Sequence, residues 1–217
     1  MTGNKKTSVL SGDGCARSEC YVIRPTPSLP LTDAPSRFVF LDRDGVINAK
    51  LENDYVKSPD QLDFIEGSLD AVARLNRAGY RVVVVSNQSG ISRGLYTISD
   101  LDRVTERVVE SVQSAGGQID AFYYCPHRDE DRCTCRKPKP GLLVRASQEL
   151  AVCPASTYMI GDSDIDIMAA RSAGFKAILI ASGPPQSAIE PTHVVASLAE
   201  AVDVIIKEDT ERKHETR

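Results

Sequence analysis

Five short, nearly all-apolar runs recur along the chain, at Phe38–Leu41, Arg81–Val85, Ala121–Tyr124, Thr157–Ile160 and Phe175–Ile180, and each is separated from the next by a longer segment of helical character. Between the first two runs, Leu69, Val72, Ala73 and Leu75 fall at helical spacing over Ser68–Ala78, and Gly79 supplies a C-terminal stop. Further helices are expected at about Ser99–Ala115, Gly141–Leu150 and Asp164–Ala173, with a short edge strand at Thr192–Val195 and a last helix at Leu198–Ile206. Strands that are apolar on both faces must be covered on both faces, and right-handed crossovers place helices there. The expected fold is therefore α/β, a doubly wound parallel sheet of Rossmann type.

The apolar runs are far shorter than the roughly 20 residues that span a bilayer, so no membrane partner is expected. A formal net charge of -4 supplies no general attraction to nucleic acid, and any anion must be bound locally. The 217 residues fit one core. Residues 1–36 have a different texture, with Gly, Ser, Pro and Thr between isolated apolar positions, and are expected to form a flexible N-terminal extension. The domain is expected at 37–206, followed by a charged, frayed tail at 207–217. A monomer is the expectation.

Cys125, His127, Cys133 and Cys135 lie within one short stretch, CPHRDEDRCTC. Three thiolates and an imidazole this close read as a closed structural zinc site, because zinc takes such donors in a tetrahedron. The loop it pins runs straight into Arg136, Lys137 and Pro140-Gly141, so its expected purpose is to hold Arg136 and Lys137. Cys15, Cys20 and Cys153 are scattered and no apolar signal segment opens the sequence, which argues for a reducing, cytoplasmic setting rather than a disulfide framework. Cys15 and Cys20 have no neighbouring histidine or third cysteine for a second zinc site.

In doubly wound sheets ligands bind outside the carboxyl ends of the strands, and the polar motifs fall there. Asp42 and Asp44 follow the first strand, Ser86 and Asn87 the second, and Asp162 the strand ending at Ile160. Three converging carboxylates repel one another unless a cation sits among them, and hard oxygen donors favour Mg²⁺. Lys137, the Ser86 hydroxyl and the backbone amides near Asn87–Gly90 would then form a phosphate cradle. One carboxylate can attack phosphorus while a second handles the proton of the leaving oxygen, and the spacing leaves open which does which.

The segments FVFLDRDGVIN, SNQSGISRG and MIGDSDIDIMAA resemble the haloacid dehalogenase-like phosphatases, over about Arg37–Ala199. The CPH…CTCRKPKPG segment is similar to the small histidinol-phosphate and heptose-bisphosphate phosphatases, which carry a zinc loop instead of a large cap domain. The resemblance implies Asp42 as nucleophile and Asp44 as general acid/base. It implies Mg²⁺ held by Asp42, the backbone carbonyl of Asp44 and Asp162, with Asp166 supporting that site from behind. It further implies that Ser86 and Asn87 contact the transferring phosphate, that Lys137 neutralises Asp42 and the phosphoryl oxygens, and that Arg136 reaches the substrate, with Arg93 as a secondary contact. Zn²⁺ would sit on Cys125, His127, Cys133 and Cys135.

RKPKPG before a helix, and DRDGVIN before Tyr55-Val56, look more like the heptose-bisphosphate members. The implied substrate is a small sugar phosphate, D-glycero-D-manno-heptose 1,7-bisphosphate, losing its C7 phosphate on the way to activated heptose for surface polysaccharide. A histidinol-phosphate phosphatase or a generalist sugar-phosphate phosphatase is the alternative enzyme. A zinc-pinned binding protein that has lost catalysis is the alternative from another class, and the intact set Asp42, Asp44, Lys137 and Asp162 argues against it.

Overall fold

A computed structural model describes residues 20–25, 37–181, 183 and 190–215. The strands in chain order are β1 (Tyr21–Ile23), β2 (Arg37–Leu41), β3 (Tyr80–Asn87), β4 (Ala121–Cys125), β5 (Tyr158–Gly161), β6 (Lys176–Ile180) and β7 (His193–Val195). The helices are α1 (Ser68–Arg77), α2 (Ile98–Ser114), α3 (Gly141–Leu150), α4 (Asp164–Ser172) and α5 (Leu198–Glu215). They form one sheet of order β1-β4-β3-β2-β5-β6-β7. Every neighbouring pair is parallel except β1 with β4.

Alternation along the central strands builds two cores. Val39, Leu41, Val82 and Val84 point to the face that also buries residues of α1, α2 and α5. Phe38, Phe40, Val83 and Val85 point to the opposite face, with Leu142, Ala146, Ile167 and Ala170 of α3 and α4. Two-sided burial is what nearly unbroken apolar runs require. The chain steps outward from β2 through β3 to β4 on one side and from β5 through β6 to β7 on the other. The crevice between β2 and β5 is therefore the point where the winding reverses, and ligands settle outside such a point. Between β2 and α1 lies only a short excursion with one 3₁₀ turn, Pro59–Gln61, so among the described residues no large cap domain covers that crevice. Among the described residues no helix is long and apolar enough to cross a membrane.

Two boundaries depart from expectation. Residues 20–25 are not part of a flexible extension: Tyr21–Ile23 add an antiparallel edge strand, with Tyr21 opposite Tyr124 and Ile23 opposite Phe122. Side chains fasten it. The Tyr21 hydroxyl donates to Asp102 (2.5 Å), and Arg24 donates to Glu149 (2.5 Å) and to the Tyr123 hydroxyl (3.1 Å). A three-residue strand whose partner lies a hundred residues away leaves no periodic signal in the sequence. Cys15 and the rest of the 1–36 segment lie outside the described residues.

The second departure is the tail, because α5 continues through 207–215 instead of fraying after Ile206. Glu208 there accepts from Tyr158 and from Lys176 Nζ (3.1 Å) and pairs with His193 (2.6 Å), while Asp209 pairs with Arg37. The stretch is polar because its partners are polar side chains at the N-terminal ends of β2, β5, β6 and β7.

Candidate active site and metal centre

The ends of β2, β3 and β5 frame one pocket, whose lining includes Asp42, Asp44, Ser86, Asn87, Arg136 and Lys137, with Lys50 nearer the mouth. Asp42 stands at the end of β2, stitched to β5 by its backbone N–H on the Ile160 carbonyl (2.9 Å). Its carboxylate accepts from the Arg43 amide (2.8 Å) and from Lys137 Nζ (3.1 Å). Lys137 is 2% exposed, and its ammonium also lies 2.6 Å from Asp166 and 2.8 Å from the Val85 carbonyl. Burial alone would lower that lysine, but Asp166 and Asp42 hold it above the usual lysine range.

Asp42, Asp162 and Asp166 offer carboxylate oxygens that all lie within 4.8 Å of one another. Three charges of one sign face one buried lysine, Lys137, and one exposed lysine, Lys50, so negative charge remains in excess, the deficit a divalent cation fills. Two further observations fit a cation. Asp162 Oδ1 is buried without a hydrogen-bond partner. Burial pushes the Asp42 carboxyl up to about 7, Lys137 working against this and the charges of Asp166, Asp44 and Asp162 with it. Gly45 makes the close packing possible. With φ at +88° it turns the chain after Asp44, and a Cβ there would sit 2.2 Å from Asp162 Oδ2.

Asp44 points into a cage of donors. Its carboxylate accepts from Arg43 Nη2 (2.8 and 2.9 Å), Asn48 Nδ2 (2.9 Å) and Gln88 Nε2 (2.9 Å). Burial would raise this group, but Arg43, Asn48 and Gln88 together hold it below the usual carboxylate range. Gln88 is itself fixed, its Oε1 accepting from the Tyr96 hydroxyl (2.5 Å) while its Nε2 also reaches Ser86 Oγ (3.1 Å).

Asn87 lines the pocket, yet its side chain is spent on another task. Its Nδ2 donates to the Lys137 carbonyl (3.0 Å) and its Oδ1 accepts from the Lys137 amide (3.1 Å), so it clamps the lysine's backbone. Arg136 lies at the pocket wall with Nε on Asp129 (2.6 Å) and a buried Nη1 that has no hydrogen-bond partner. Arg93 is exposed and is not among the lining residues.

The four sequence-derived zinc donors come together as a buried cluster beside the pocket. Cys125 Sγ lies 3.4 Å from His127 Nδ1, 3.7 Å from Cys133 Sγ and 3.3 Å from Cys135 Sγ, and His127 Nδ1 lies 3.3 Å from Cys135 Sγ. A tetrahedron with zinc-ligand bonds of 2.0–2.3 Å has edges of roughly 3.5–3.8 Å, so the donors stand close to where zinc needs them. None of the three cysteines is in a disulfide, and the hydrogen bond with Cys135 draws the Cys125 thiol down to about 6, into the range where thiolate forms readily. Lys139 Nζ on the Cys133 carbonyl (2.6 Å) ties the loop to the segment that carries Lys137.

Four residues of this site escaped sequence reasoning: Arg43, Asn48, Gln88 and Lys50. Arg43 and Gln88 lie inside the quoted LDRDG and SNQSG segments, and their strand-end position was the available signal. Lys50 gave none, since one lysine in a polar loop reads as solvated.

A family model described as HAD-hydrolase-like matches residues 134–201. A D-glycero-beta-D-manno-heptose-1,7-bisphosphate 7-phosphatase of Neisseria meningitidis serogroup B is 38% identical over 182 residues, covering 80% of this chain and 97% of that relative. One from Pasteurella multocida is 37% identical over 177 residues, covering 77% and 95%. Among solved structures, the D,D-heptose 1,7-bisphosphate phosphatase of B. bronchiseptica, complexed with magnesium and phosphate, superimposes with a TM-score of 0.75 at 36% identity, covering 79% of this chain and 99% of that one.

Proposed function

Since the chain belongs to the haloacid dehalogenase-like hydrolases, in the family of the D-glycero-beta-D-manno-heptose-1,7-bisphosphate 7-phosphatases, we propose that it removes the C7 phosphate of that bisphosphate with Mg²⁺ as cofactor. The observation that carries this reading is the meeting of Asp42, Asp162 and Asp166 with Lys137 at the reversal point of the sheet. The names borne by the relatives favour a heptose bisphosphate over histidinol phosphate.

Asp42 is the nucleophile. Its Lys137 partner keeps negative charge on the attacking oxygen's carboxyl and offers an ammonium to the incoming phosphoryl group. The same lining supplies the Ser86 hydroxyl and the Arg136 guanidinium as further donors. Asn87 acts as a positioning residue, setting the lysine's backbone. Mg²⁺ would be held by Asp42, Asp162 and the backbone carbonyl of Asp44, with Asp166 behind, and when bound it neutralises carboxylates and phosphoryl oxygens that would otherwise repel. Zn²⁺ would be held by Cys125, His127, Cys133 and Cys135 and would fix the loop that delivers Arg136 and Lys137.

Asp44 handles protons. In its cage it is a carboxylate, suited to take a proton from the water that cleaves the aspartyl-phosphate. Giving a proton to the sugar's leaving oxygen requires the opposite state, protonated and released from Arg43 and Gln88. That donation therefore requires the Asp44 side chain to leave the cage for the pocket it lines.

The test is phosphate release followed by phosphorus NMR with heptose 1,7-bisphosphate, histidinol phosphate and fructose 1,6-bisphosphate in turn. Preferential loss of the heptose C7 phosphate, with the C1 phosphate retained, is expected. Equal, slow release from all three would replace this reading with a generalist phosphatase, and no release from any would remove the phosphatase reading.

A further inference from the structure

A sugar bisphosphate brings two anions, while the deep part of the pocket is furnished for one. Lys137 is locked between Asp42 and Asp166 and serves the phosphate that is transferred. Lys50 is different. It lines the pocket from the loop after β2, its side chain is 60% exposed, and its ammonium rests 3.3 Å from Asp162 Oδ2. The carboxylate it rests on belongs to the acidic triad, whose charge a bound divalent cation would take up. Asp54, the other acid on that rim, is held by Lys57 at 2.8 Å and does not compete for Lys50.

Resting on the phosphatase reading, we infer that Lys50 recognises the phosphate that is not transferred, leaving Asp162 for it as substrate enters. An exposed ammonium on a four-carbon stem can move between two anions within its reach at little cost, and a phosphate dianion is the stronger partner once Asp162 is neutralised. Lys50 is thereby a specificity-determining residue: it makes the site prefer a bisphosphate to the same sugar carrying only the C7 phosphate. Arg136, with its partnerless Nη1, stands at the same pocket and leaves room for a two-sided grip.

The experiment compares heptose 1,7-bisphosphate with heptose 7-phosphate on the full chain, at saturating Mg²⁺. Lys50→Met is expected to lower the bisphosphate-to-monophosphate ratio of kcat/KM about tenfold, through KM rather than kcat, because one charge-assisted contact is lost at a solvated rim. Lys50→Arg, which keeps the charge, is expected to retain most of the preference. An equal loss on both substrates would overturn the inference, since it would mean that Lys50 acts through Asp162 on the metal site. An unchanged ratio would overturn it as well, with the phosphatase reading intact. Absence of turnover by the unmodified protein on either compound would instead remove the phosphatase reading, and this inference with it.

Discussion

Replacing Lys137 by methionine tests the electrostatic account of the site without touching Asp42. Methionine keeps the length of the buried stem and removes the ammonium that lies 2.6 Å from Asp166 and 3.1 Å from Asp42. Breaking a buried ion pair from one side costs about 3–5 kcal/mol, because the remaining charges stay buried without compensation. Here the carboxyls can take up protons instead, so the lower end, about 3 kcal/mol, is the working figure. In a domain of this size about 1 kcal/mol moves Tm by about 2–4 °C, so a fall of roughly 6–12 °C is expected in EDTA. The deficit has a pH signature. Without the lysine, the charge that holds the Asp42 carboxyl down is gone and burial raises it further, so the variant loses most stability where that carboxyl is forced to ionise and approaches wild type as pH falls. Mg²⁺ supplies the missing positive charge and is expected to return part of the lost Tm. Thermal melts from about pH 5 to about pH 8, with EDTA and with Mg²⁺, decide the matter. A Tm within about 2 °C of wild type, or a deficit independent of both pH and Mg²⁺, would refute the charge balance described here.

Two further outcomes follow from the same geometry. Burial raises the Asp42 carboxyl to about 7 in the metal-free protein, so Mg²⁺ binding displaces a proton and its affinity is expected to increase as pH rises from about 6 to about 8. Calorimetry in buffers of different ionisation enthalpy measures that proton, and its absence would contradict the raised carboxyl. Cys133→Ser removes one donor of the buried cluster, so zinc content is expected to fall with kcat/KM as the segment bearing Arg136 and Lys137 loosens. A zinc-free variant with unaltered kinetics and melting would dissociate the cluster from the active site.

The parallel core was legible because its strands are buried on both faces and its helices present one apolar stripe, so the two kinds of segment look unlike each other in sequence. The expected α3 boundaries, Gly141–Leu150, match the observed helix, and most other ends shift by a residue or two. What was hidden is what depends on pairing at long range. The Tyr21–Ile23 strand exists because β4 offers an open edge and Glu149 and Asp102 offer anchors, none of which is encoded nearby. The continuation of α5 exists because Arg37, Tyr158, Lys176 and His193 await its acids.

The two side-chain clusters were legible for a different reason. The Cys/His residues are close in sequence and chemically rare, and strand-end aspartates announce themselves through the ends of apolar runs. The supporting polar residues were not, since Arg43, Asn48 and Gln88 acquire their meaning only when the chain brings them to Asp44. Asn87 shows the same limit from the other side: the residue was identified, but its side chain serves Lys137.

The central claim is that Asp42 is the atom donor to phosphorus, and the direct measurement is peptide mass spectrometry of a reaction with heptose 1,7-bisphosphate and Mg²⁺, quenched in acid during turnover. A phosphoryl adduct on the peptide containing Asp42, absent in Asp42→Asn, is the result expected. Phosphate release by the unmodified protein with no adduct there, or undiminished turnover by Asp42→Asn, would contradict the account.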